Sequence, residues 1–201
     1  MAILKLGKTQ GLTLIELLVA IGLGMSVLAV VTTTFIAQAK VYHAQEQIKE
    51  MEQNARGVLD LITREVKMAG YKPNGGSFSG LPYSATELRI QADLDGNGSI
   101  PSGATLEDIR YVYDSANLRI TRQEGSGGSI EPVADNIVLF NFNYVKNDGS
   151  FATSSADTHL IRQISMTITA RTAKADPNYA VNGGYRTYTL TATVTPLNMG
   201  L

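Results

Sequence analysis

Three places in this 201-residue chain hold residue types whose placement could support chemistry. The first is Glu16, the one charged side chain in the apolar run 12–39, LTLIELLVAIGLGMSVLAVVTTTFIAQA. At a bilayer centre a carboxylate costs about 2.5 to 3.5 kcal/mol, so a retained one marks function. By helix rise Glu16 lies only about 6 to 8 Å in from Leu12, where the cost is lower. The second is Asp93-Leu94-Asp95-Gly96-Asn97-Gly98-Ser99-Ile100. Asp93, Asp95 and Asn97 offer oxygen ligands at alternate positions, with glycine for a sharp turn, as calcium loops do. The glutamate expected at the twelfth position is replaced by Ala104, and Pro101 interrupts the loop, so Glu107 or Asp108 must reach back if calcium binds. The same residues also suit a plain turn between strands. The third place is the pair His43 and His159, which lie in different segments with no second ligand at metal spacing.

The elements that must carry these residues follow from patterning. The run 12–39 exceeds the roughly 20 residues that span a bilayer. Lys5 and Lys8 precede it, so the positive-inside bias keeps the N-terminus in the cytoplasm and the remainder outside. A secretory signal core is shorter, although Ala37-Gln38-Ala39 mimics its cleavage site; an exported soluble domain or a plain single-span anchor are the simpler alternatives. Beyond it, Val41, Ala44, Ile48, Met51, Ala55, Val58, Ile62, Val66 and Ala69 recur in steps of three and four. This stripe predicts an amphipathic helix over 40–70 that stops at Gly70, with the charged residues, Glu65 among them, largely off the stripe. A coiled coil is the rival use of that stripe, but it is poor in leucine.

From residue 71 the chain changes character. A loop rich in glycine, serine and proline is followed by β-type alternation, which predicts strands at 87–92, 108–113, 118–123, 136–145, 161–171 and 185–195. Asp114-Ser115-Ala116-Asn117 predicts a tight hairpin between the second and third. Strands without intervening helices mean an antiparallel sheet with one face on the helix stripe. The loop 171–186 is the expected exposed contact surface. Composition adds exclusions: there is no cysteine, which removes thiolate chemistry and disulfides, and a net charge of −1 gives no basic field for nucleic acid. Nor do the residues outline a catalytic nucleophile, acid–base pair or metal cluster of enzymatic type.

Gly11-Leu12-Thr13-Leu14-Ile15-Glu16, after a basic leader and before a long apolar helix, resembles the class III signal of type IV prepilins. The segment Met68-Ala69-Gly70-Tyr71, after Arg64-Glu65-Val66-Lys67, is similar to the same helix end in PilW-type minor pilins. The family usually has phenylalanine where Leu12 stands, and many major pilins carry a proline that this apolar run lacks. The resemblance implies cleavage between Gly11 and Leu12 by prepilin peptidase, methylation of the new Leu12 amine, and an assembly role for Glu16 paired with that amine in one subunit or between neighbours. It implies an α+β pilin-like lollipop: leader 1–11, membrane-spanning and filament-core helix 12–39, amphipathic helix 40–70, and a β-sheet domain 71–201. It also implies a non-enzymatic subunit without cofactor, calcium aside. Its partners are then other pilins and the pilus assembly platform and ATPase. Such a subunit resides in the bacterial inner membrane, N-terminus cytoplasmic, before assembly, and in a surface pilus or periplasmic filament after it. A type II secretion pseudopilin shares these features, and a membrane-anchored enzyme or calcium-binding module is the alternative of another class.

Overall fold

The computed structural model describes residues 11–103 and 105–199. One long helix, α1 (Leu14–Met68), precedes seven strands: β1 (Glu87–Gln91), β2 (Asp108–Asp114), β3 (Arg119–Glu124), β4 (Ile130–Asp135), β5 (Ile137–Lys146), β6 (Ile161–Arg171) and β7 (Thr187–Val194). Short 3-10 turns occur at Ser155–Leu160 and Val181–Gly184. The chain divides into two compact units, Met1–Gln45 and Glu46–Leu201, and α1 is continuous through both. Its end at Met68, with Gly70 in the left-handed conformation (φ 76°), fits the glycine stop expected there.

Within the first unit the helix presents an apolar surface. Leu14, Ile15, Leu18, Leu23, Met25, Leu28, Val30 and Phe35 are all exposed. The hydroxyls of this stretch are spent on the chain itself: Ser26 donates to Gly22 O (2.9 Å), Thr32 to Leu28 O (2.8 Å), and Thr33 and Thr34 both to Val30 O (2.9 Å each). Such back-bonding lets small polar residues sit in a helix that water does not reach.

In the second unit the stripe works as its spacing requires. Met51, Ala55, Val58, Ile62 and Val66 are buried, joined by Leu59, while Ala44 and Ile48 are half-buried and Val41 is exposed. They pack against two antiparallel sheets, ordered β1-β2-β3-β4 and β5-β6-β7. Leu88, Ile90, Ile109, Tyr111 and Ile120 supply the first sheet's core face, and Phe140, Tyr144, Ile164, Met166 and Ile168 the second's. The class is therefore α+β, with a long N-terminal helix packed on antiparallel sheet.

Three sequence expectations need correction. The sheet is split in two, because the chain turns a corner at Asn136 (φ 58°), which had been placed inside a strand; asparagine tolerates this left-handed conformation at low cost. Strand β4 was missed because Pro132 interrupts it; β4 is an edge strand that pairs only with β3, where proline is tolerated. Leu118, expected to begin a strand, instead closes the β2–β3 hairpin at φ 51°, with the turn held by Asn117 N–H and Nδ2 donating to Asp114 (3.1 and 2.7 Å). β6 has the bounds expected of it, and the remaining strand ends lie within two residues of expectation.

Glu65 is the fourth departure. It is buried, with one carboxylate oxygen accepting from the Tyr111 hydroxyl (2.5 Å) and the other from Arg122 Nε (3.1 Å), while Arg122 also reaches Glu124 (2.6 Å). Burial, and then the adjacent Glu65 carboxylate, hold the Tyr111 hydroxyl well above the ordinary tyrosine range. A charge next to the apolar stripe is thus used to tie α1 to β2 and β3.

Candidate functional site

The N-terminal segment carries the most specific arrangement. Thr13 and Glu16 close on each other at the first turn of α1: Glu16 Oε2 accepts from Thr13 N–H (2.9 Å) and from the Thr13 hydroxyl (2.8 Å), and Thr13 Oγ1 accepts from Glu16 N–H (3.3 Å). This is a reciprocal N-cap, with a threonine at the cap and a glutamate three residues on, and it satisfies helix donors that would otherwise be orphaned. The Thr-x-x-Glu spacing carries that signal in the sequence. Glu16 therefore also starts the helix.

Gly11 and Leu12 precede the cap. Both are exposed, and a Cβ built on Gly11 would meet nothing within 4 Å. Lys5, Lys8 and the rest of residues 1–10 lie outside the described residues. From Leu14 onward the helix contains a window of mean hydropathy 2.5, none of it buried, long enough to cross a membrane.

The second candidate is the loop after β1. Asp93 is fully buried and accepts three backbone N–H groups, from Gly96 (2.8 Å), Asn97 (3.1 Å) and Gly98 (2.9 Å). Gly96 and Gly98 adopt φ near +78° and +79°, so the turn needs glycine at both. Glu107 does reach back: its Oε1 accepts from Leu94 N–H (2.7 Å) and Asp95 N–H (2.9 Å). Carboxylate oxygens of Asp93, Asp95 and Glu107 lie within 4.8 Å of one another. Asn97 stands beside these carboxylates: its Nδ2 donates to Asp95 (2.8 Å), and its Oδ1 accepts from the Ser99 N–H and hydroxyl (2.8 and 2.7 Å). Asp108, the other residue considered, is taken by Arg89 through two bonds (2.6 and 2.7 Å) and by Arg110. Ala104 lies outside the described residues.

His43 meets Tyr42 edge-on (6.2 Å between centroids), and His159 sits on the 3-10 turn before β6. The loop expected to be a contact surface is held by two cation–π contacts, Arg171 over Tyr185 (4.2 Å) and Arg186 over Tyr179 (4.5 Å), with Arg186 also bridged to Asp176 (3.1 Å).

No protein-family model matches the chain, and no characterised protein matches it in sequence. Among solved structures the chain is similar to a type IV-like pilin from Thermus thermophilus, at 13% identity with a TM-score of 0.48; the alignment covers 78% of this chain and 98% of that one. What the chain does is therefore read from its own residues.

Proposed function

We propose that this chain is a structural subunit of a type IV filament, a minor pilin of PilW type, made as a precursor and cut after Gly11. The observation that carries the reading is a single helix with two different surroundings. Its first part exposes leucine, valine and isoleucine all round, with its hydroxyls bonded internally, while its second part is core to a β-sheet domain. A surface that is apolar all round is stable only in lipid or against other helices. A membrane holds it before assembly, and neighbouring subunits enclose it afterwards.

The motif at the start of the helix supports the processing step. Removal of the leader takes away Lys5 and Lys8 and leaves a new ammonium on Leu12, four residues before Glu16. An opposite charge that close favours the ionised carboxylate and offsets its desolvation. Within one chain Glu16 is already engaged by Thr13, so an ammonium, its own or a neighbour's, adds to the cap without replacing it. Prepilin peptidase, methylation of Leu12, insertion by an assembly platform and ATPase, and a non-catalytic role in initiating the pilus belong to this proposal.

The test is the intact N-terminal mass of the protein from membranes of cells with and without prepilin peptidase. A peptidase-dependent start at N-methyl-Leu12 is expected. A start at Met1 or Lys40 in both strains defeats the reading. Secretion genes beside this one would move the assignment to a type II secretion pseudopilin.

The convergence of Asp93, Asp95 and Glu107 favours one addition, a calcium ion bound by these carboxylates at the affinity of extracellular modules.

A further inference from the structure

A cavity of about 740 Å3 opens where the loop after α1 faces the 3-10 turn before β6. Its size is that of a small-molecule site. Lys72, Arg162 and His159 line it, together with the Gly76-Ser77-Phe78-Ser79-Gly80 segment, and among the described residues its lining contains no acidic side chain. Among the described residues neither Lys72 nor Arg162 has a carboxylate partner. Lys72 Nζ lies over the Phe78 ring (5.6 Å), which fixes the cation at the wall. Arg162 spends one terminal nitrogen on the carbonyls of His159 and Ile161 (2.9 Å each), leaving Nε and the second terminal nitrogen for a planar acceptor.

The loop also holds unspent donors. The N–H groups of Ser77, Phe78 and Ser79 and the hydroxyls of Ser77 and Ser79 make no hydrogen bond among the described residues. Glycine builds this wall. A Cβ at Gly80 would stand 2.2 Å from Gly70 N, and a Cβ at Gly76 would stand 2.8 Å from Gly98 O, so the loop reaches its place only with glycine at both positions. Cations with no carboxylate partner, hydroxyls with no hydrogen bond, both among the described residues, and an aromatic ring on one cavity form a recognition set for a polyol that carries an acid.

We propose that this cavity binds an acidic sugar, its carboxylate held by Lys72 and Arg162 and its hydroxyls by the serine-rich loop. The site is independent of the filament reading. The test uses the full chain in lauryldimethylamine oxide micelles and ligand-observed saturation-transfer NMR with three probes: D-glucuronate, D-glucose and inorganic phosphate. Glucuronate is expected to bind and glucose to bind at least about tenfold more weakly, because the charge-assisted bonds are lost. Lys72→Met, at an exposed position, is expected to weaken glucuronate at least tenfold with the melting temperature unchanged, and Ser77→Ala to weaken it by a smaller factor. Equal signals for glucose and glucuronate, phosphate competing as well as glucuronate, or glucuronate binding that ignores Lys72→Met each overturn the proposal.

Discussion

Tyr111→Phe tests how α1 is fastened to the first sheet. The Tyr111 side chain is fully buried and its hydroxyl is the donor, at 2.5 Å, to one oxygen of Glu65, whose other oxygen is held by Arg122 at 3.0 to 3.1 Å. Phenylalanine keeps the ring packing and removes that donor alone. A hydrogen bond to a charged group contributes about 1.5 to 3 kcal/mol, and Glu65 is only 8% exposed, so water recovers little of it. The expected loss is about 2 kcal/mol. Urea unfolding of the full chain in micelles, followed by near-ultraviolet circular dichroism, measures it. A double-mutant cycle with Glu65→Gln should return a coupling of about 1 kcal/mol, since a neutral partner retains the weaker bond. A loss below about 0.5 kcal/mol, or a coupling of zero, would refute the claim that this contact ties helix to sheet. The pH arm is independent. Burial first and Glu65 second raise Tyr111, and burial likewise raises Tyr144. Their contribution is fully present below the ordinary tyrosine value of about 10 and is lost as pH rises above it, when only the unfolded chain ionises readily. Tyr111→Phe should make that alkaline decline shallower.

Four further outcomes are expected. Burial opposes ionisation of Asp108, but Arg89 and Arg110 outweigh it and lower its pKa, so its contribution is present above the ordinary aspartate range and is lost as pH falls through the lowered value; Asp108→Asn should flatten acid unfolding. Gly80→Ala should cost about 3 kcal/mol or prevent folding, because the added carbon meets backbone at 2.2 Å, and the melting temperature reports it. Thr13→Ala should weaken the helix start by about 1 kcal/mol, read as faster hydrogen exchange of the first-turn amides without change in the β-sheet domain. Calcium should raise the melting temperature of the chain, and Asp95→Asn, at an exposed position, should abolish that rise; a titration that leaves both proteins unmoved removes the calcium site.

Local patterns in this sequence determine local structure. The apolar run 12–39 reports one element, and the three-and-four spacing from Ile48 to Val66 and the alternation in β6 each report one element and one face, because a side chain's direction is set by the period of its own backbone. The Thr13–Glu16 cap is of the same kind, legible three residues apart. Periodicity says which face is buried and not what covers it. Sheet membership was decided at Asn136, whose left-handed corner takes the chain out of one sheet and into another, and β4 exists because an edge position leaves the missing N–H of Pro132 unneeded. Distant partners were decided in three dimensions too: Glu65 finds Tyr111 and Arg122, and the cavity joins Lys72 to Arg162, across stretches of chain that no spacing relates. A buried charge is stable only where its partners converge, and that convergence belongs to the packed fold.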